Sequence, residues 1–529
     1  MDRKMRINKP HLRDLRKLFH FFAVFFLATT LTASLHAYVY IGGEWKPGTY
    51  TLNGDFDSGD YADDARNIRV GAGGGGSEHI LIVDGGDIHI RGVLQVAVNG
   101  DAHGSSLIFN DGTIHLYERW NSIGNDYIGY FYHYGGTIKR ADTAAPGTVG
   151  LSVSDSVRAS GPDYYSAADK TTVAGSLYHM DGDDAKLIVD YLQIGVHGNG
   201  TFRQDRGQVT VLNNLLVADY PYSSDPVIGF YELNGGTLDV MGDLHMGCLD
   251  NTNAVGFLTV NNGKMTVGGG AILGFRTGTK GNITINGGET DVTGNIIVGC
   301  FGEGTLTIND GTFNAANILV GEWNDGGLYL NGGLLTADRI EVRRNGFYND
   351  KNYNGEFIMT GGTLRTLNFS GSLTNSGGTL DVRNGTTISG DYIQEAGSLR
   401  MELFRDDTDI STSAFSAAGS ITLAGTLDLI LTGDLWTPAD LGLFEEGGDF
   451  FGGIELFPVT PGSWANVTVS ETPYWASSGL GWTFGINDSG YAVLNLVPFQ
   501  DESGVPEPAT WGMLLAGAAG VWVLRRRSL

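Results

Sequence analysis

The chain has 529 residues, a formal net charge of -26 and a hydrophobic share of 41%. That apolar share excludes wholesale disorder, and the negative charge argues against nucleic acid and anionic lipid as partners. Gly is abundant at 81 residues and Pro scarce at 13, which excludes collagen and a Pro-rich stalk and fits many tight turns between short strands.

Residues 1–37 read as a secretory signal peptide. Arg3, Lys4, Arg6, Lys9, Arg13, Arg16 and Lys17 form a basic n-region, Leu18 to Leu31 an apolar h-region, and Ala37 the last residue before cleavage. The alternative is an uncleaved anchor, for which the apolar run is short. Export through the Sec translocon is the expectation. With the +5 of this segment and the +3 of Arg525, Arg526 and Arg527 set aside, residues 38–524 carry -34, which suits an extracellular solute.

Residues 38–65 are a lead-in or cap. Asp55, Asp57 and Asp60, with Asp63 and Asp64, make an acidic loop with a slight likeness to a calcium site. An EF-hand requires Gly at its sixth position and Glu at its twelfth, and neither is present. Asp181 and Asp183 in the turn Met180–Asp184 are a second weak calcium candidate; solvated turns are the default for both. No other cofactor is indicated.

From residue 66 to 399 one unit recurs, most clearly from Asn282 to Gly299 (N-I-T-I-N-G-G-E-T-D-V-T-G-N-I-I-V-G). Ile283 and Ile285 precede its turn, and Val292, Ile296 and Val298 follow it, all at alternating positions. Three short period-2 strands per unit, separated by turns, predict one coil of a right-handed parallel β-helix. A unit this short cannot bury its own apolar face and must stack on its neighbours. The residue before the turn is Asn234, Asn261, Asn286, Asn309 and Asn331 in successive units. Stacked in coils, these predict a structural ladder of side-chain amides, placed where Asn tolerates a left-handed corner.

Three other features stand out. Cys248 and Cys300 lie two coils apart, roughly 9.6 Å, beyond disulfide reach, so two thiols are expected. His89 and His115 share one outward column with Lys139 next; the imidazoles come within metal-bridging range, but no further ligands are evident, so plain surface stacking is expected. Tyr117, Trp120, Tyr127, Tyr130, Phe131, Tyr132 and Tyr134 crowd into one stretch. Such rings either bind sugar faces or pack beneath a lateral loop.

Residues 400–498 carry longer alternating strands and several Trp residues, and predict a small antiparallel β module that caps the coil; 499–504 is a linker. Residues 505–529 close the chain with Val505-Pro506-Glu507-Pro508, a short apolar run from Ala509 to Leu524, and Arg525, Arg526 and Arg527. This order resembles the PEP-CTERM sorting signal of Gram-negative bacteria. The resemblance implies transient anchoring in the inner membrane by a short transmembrane helix, recognition by an exosortase, and delivery to the cell envelope, outer surface or extracellular matrix. The repeats are similar to those shared by type V autotransporter passengers and PEP-CTERM proteins.

No P-loop, G-x-S-x-G, H-E-x-x-H or C-x-x-C is present, and no carboxylate pair recurs on a strand face. The expected function is therefore non-enzymatic: a structural or adhesive envelope protein associated with exopolysaccharide or other envelope proteins. The alternative is a polysaccharide lyase or hydrolase built on the same coil.

Overall fold

In the computed structural model, the described residues are 38–498 except 42–43, 61–65, 72–78, 99–103, 126, 156–174, 220–226, 249–253, 349–350, 407–408, 434–453, 459–463, 471–479 and 487–490. Residues 1–37, read above as a signal peptide, and residues 499–529, read as the linker and sorting tail, lie outside them.

The protein is a parallel β-solenoid. In the unit singled out above, Lys280–Ile285 is the first strand of a coil, and Glu289–Val298 supplies the second and third as one bent run. The first strand pairs in parallel with Val255–Val260 behind it and Glu303–Ile308 ahead of it. Residues 289–292 pair with 264–267 and 312–315, and residues 295–298 pair with 271–273 and 317–320 over the third strand position. The strand hydrogen bonds thus run between coils, which satisfies backbone groups that a single coil would leave open.

Alternation decides what fills the interior. Ile283, Ile285, Val292, Ile296 and Val298 all point inward, and none is more than 4% exposed. A fully buried residue of this kind contributes roughly 1.5–3 kcal/mol, a gain realised only when a neighbouring coil covers it. The same inward column holds a stack of rings, Phe131 on Tyr178 (4.6 Å between centroids), Tyr178 on Phe202 (4.5 Å) and Phe202 on Tyr231 (4.9 Å). Their spacing follows the inter-strand repeat of about 4.8 Å. Phe131 therefore belongs to the core and leaves the outward aromatic group.

Gly, not Asn, supplies the left-handed backbone at the turns. Gly236, Gly263, Gly288, Gly311 and Gly333 all have positive φ, whereas the described non-Gly residues with positive φ are Ala97, Ser154, Ala218 and Asn345. The turns are also crowded: a Cβ on Gly288 would sit 2.4 Å from the Gly263 carbonyl oxygen of the coil behind. The expectation that the ladder asparagines adopt the left-handed corner is not met.

Both ends of the coil path differ from the sequence reading. Thr49–Leu52 already pairs in parallel with residues 80–83, and Phe56–Asp57 with residues 88–89, so the path begins within the lead-in. Tyr38–Ile41 runs antiparallel to Ile68–Val70 and covers that edge. At the other end, residues 398–405 pair in parallel with 426–433, and 464–470 pair in parallel with the Ile421–Gly433 strand. The parallel ladder thus continues past residue 399. Among the described residues of 400–498, antiparallel pairing is confined to the hairpin of residues 403–406 and 409–412 and the sheet of Ile454–Pro458, Leu480–Ile486 and Tyr491–Pro498. The long strands misled because first and second strands of a coil can fuse into one run, as in Ile80–Ile90 and Ser105–Leu116.

Candidate functional site

The outer surface divides into columns, because each outward position repeats coil after coil. The column just before the turn carries the asparagine ladder. Asn331 Nδ2 donates to Asn309 Oδ1 at 3.0 Å, Asn309 to Asn286 at 2.8 Å, Asn286 to Asn261 at 2.8 Å and Asn261 to Asn234 at 2.7 Å. Asn234 donates in turn to Asp205 Oδ1 at 2.7 Å, and Thr360 Oγ1 feeds the far end by donating to Asn331. All these bonds point one way, so the aligned amides present N–H groups to an anion at their terminus. Burial alone would raise the Asp205 carboxyl, but bonds from Asn234, His179 and Arg203 hold it below its ordinary value.

Nearer the N-terminal end, Ile80–Ile90 and Ser105–Leu116 lie side by side with His89 directly opposite His115. Their rings stack at 4.2 Å with 6° between planes. Asp87, two residues before His89 on the same outward face, joins them: its carboxylate lies 2.6 Å from His115 Nε2 and 3.3 Å from His89 Nε2. Nδ1 of His89 meets the Tyr117 hydroxyl at 2.8 Å, and the Arg91 guanidinium covers the Tyr117 ring at 4.2 Å. Asp87 is the member that sequence reasoning missed; strand alternation placed it on the same face. Lys139, next in the column, leans instead toward Asp142 (3.6 Å).

The calcium candidates are differently engaged. The Asp57 carboxylate is clamped by Arg91, with Nη2 at 2.9 Å and Nε at 3.0 Å, and that pairing pulls its carboxyl down to about 2. Asp55 accepts the backbone N–H of Asp87 at 2.9 Å. Asp60 ends the short 3-10 turn Ser58–Asp60. Arg206 reaches Asp181 at 2.8 Å and Asp183 at 3.5 Å. Asp57, Asp181 and Asp183 thus spend their charge on arginine; Asp63 and Asp64 lie outside the described residues.

The aromatic residues do not assemble into one face. Tyr130, Tyr132 and Tyr134 form a row along a first strand and into its turn, with centroids 6.4 and 6.3 Å apart. Tyr117 lies past a second strand beside His89, and Trp120, 58% exposed, lies before a third strand with Arg119 5.2 Å from its ring. Tyr127 sits at the corner between a third strand and the next first strand.

A groove of about 480 Å³ lies over Asp338, Arg365, Asp381, Arg383 and Glu402. Burial raises the Asp381 carboxyl, but the bonds from Arg383 (2.7 Å) and Arg365 (2.9 Å) outweigh it and hold it low. A carboxylate held ionised in this way is unsuited to general-acid work. Cys248 and Cys300 are buried free thiols, as their coil separation requires. Burial pushes the Cys300 thiol up to about 11, and burial followed by the nearby Asp219 charge raises Cys248.

Comparison with known proteins adds one observation. Residues 504–527 match the PEP-CTERM protein-sorting motif. The match covers Val505, Pro506, Glu507, Pro508 and the three arginines 525–527, and marks the chain as an exported protein sorted by an exosortase. No curated protein and no solved structure matches. Among the described residues, no helix is long and apolar enough to cross a membrane; residues 509–524 lie outside them.

Proposed function

We propose that this chain is a non-enzymatic protein of the outer cell surface or extracellular matrix, with a structural or adhesive role in association with exopolysaccharide. In this reading a signal peptide over residues 1–37 directs it to the Sec translocon. The tail 505–529 then holds it briefly in the inner membrane until an exosortase removes it. The carrying observation is the sorting motif joined to a long repetitive solenoid. Cross-coil hydrogen bonding makes such a body stiff, and many of its outward charged groups are tied to one another in ion pairs, as in Arg206–Asp181, Lys264–Glu289 and Arg400–Asp428. The row Tyr130, Tyr132 and Tyr134 is the surface best suited to sugar rings, since its ring faces and hydroxyls repeat along one strand.

The test is incubation of the exported protein with acidic and neutral polysaccharides. Co-sedimentation without cleavage, weakened by Tyr132→Ala, supports the reading. New reducing ends or unsaturated products would establish a lyase or hydrolase instead.

A further inference from the structure

We propose that Asp87, His89 and His115 form a binding site for one divalent first-row transition-metal ion. Three arguments converge on it. The first is donor chemistry. Two imidazoles and one carboxylate suit zinc, copper, nickel, cobalt or ferrous iron, whereas calcium and magnesium take oxygen donors almost exclusively.

The second is geometry. The ligand atoms of all three residues lie within 4.8 Å of one another. Ligands around a tetrahedral ion at about 2.1 Å stand about 3.4 Å apart. The His89 Nε2 to Asp87 Oδ2 separation of 3.3 Å already matches this. The His115 to Asp87 contact of 2.6 Å needs only a small opening, and the Asp87 side chain, 56% exposed, has room to turn. Both histidines stand on paired strands whose register places them face to face, so little ordering remains to be done on binding.

The third is the supporting shell. Nδ1 of His89 lies 2.8 Å from the Tyr117 oxygen, so when Nε2 gives its lone pair to a metal the ring proton has an acceptor on the other side. Arg91 lies close, but Asp57 neutralises it through two hydrogen bonds. The site therefore keeps the charge of Asp87. A second cluster, His179, Asp181 and Asp205, offers only one imidazole beside two carboxylates and lacks this balance. Arg206 holds Asp181 and Arg203 holds Asp205, so both carboxylates are already paired with a cation. Three protein ligands at the first site leave a coordination position open to water on the exposed Asp87 side.

The test is titration of the full chain with Zn²⁺ by calorimetry, and with Co²⁺ by visible absorption, in excess Ca²⁺. The expected result is one ion bound per chain, with Co²⁺ bands of a low-coordinate nitrogen–oxygen site. Asp87→Asn and His89→Ala, both at outward positions, weaken binding more than roughly 100-fold, Tyr117→Phe weakens it roughly 10-fold, and His179→Ala leaves it unchanged. Circular dichroism confirms that each variant keeps its strands. No binding to the wild type overturns the proposal, as does binding that survives in Asp87→Asn and His89→Ala or disappears in His179→Ala.

Discussion

Asn234 Nδ2 donates to Asp205 Oδ1 at 2.7 Å, and through this bond a one-way chain of side-chain amides ends on a carboxylate. The repeat supplies the amides; the break in the repeat at Asp205 supplies the anion that orients them.

The ladder can be tested at its middle and at its end. Asn286→Ala removes one bond given and one received, and should cost about 1–2 kcal/mol in urea denaturation. Asn234→Asp sets a second carboxylate against Asp205. It should be more destabilising than Asn234→Ala at neutral pH, and the two should converge as acid neutralises the pair.

The turn glycines make a sharper case. Gly288→Ala meets a φ of +73° and the Gly263 carbonyl oxygen at 2.4 Å. Left-handed strain of roughly 1–2 kcal/mol adds to that clash, so a loss above about 2 kcal/mol is expected. Gly48 has a similar φ of +71° with nothing within 4 Å, so Gly48→Ala should show the strain alone. Equal losses at the two sites would contradict the crowding argument.

His133 should make the fold acid-sensitive. It lies in the core with Nδ1 2.8 Å from the Tyr178 hydroxyl, and burial pushes its imidazole down to about 4. Between that value and the ordinary 6.5 the unfolded chain holds the extra proton, so stability is full above about 6.5 and falls as pH drops toward 4. The loss from this group is at most roughly 3 kcal/mol. His133→Gln, which copies the buried amide of Gln204 further along the column, should flatten the slope in denaturation measured across that range.

The thiols give a simple readout. Cys248 and Cys300 should resist thiol reagents in the native protein at neutral pH, because burial disfavours their thiolates. Both should react in denaturant without prior reduction.

The regular part of this architecture is legible from residue order because its physics is local and repeated. Alternation alone assigns Ile283, Ile285, Val292, Ile296 and Val298 inward, and spacing alone aligns Asn234 to Asn331. What alternation could not reveal depends on contacts between coils. Arg91 finds Asp57 only because the coil path starts near Thr49, ahead of the recognisable repeats. Asp87 meets His115 diagonally across two strands, a relation that a column of identical positions does not display. Phe131 sits among outward tyrosines in sequence yet alternates into the ring stack. The strands Ser398–Asp406, Ile421–Gly433 and Trp464–Ser470 pair in parallel rather than antiparallel because length and alternation do not encode strand direction, whereas Ile454–Pro458, Leu480–Ile486 and Tyr491–Pro498 do form an antiparallel sheet.

Delivery of a β-solenoid to the cell surface by exosortase sorting can be read from the mass of the exported protein and the sequence of its C-terminal peptide. The expected C-terminus lies near Val505–Pro508, with Ala509 to Leu529 removed, and the full tail is retained when the exosortase is disrupted. An extracellular protein that still ends in Arg525, Arg526 and Arg527 would contradict it.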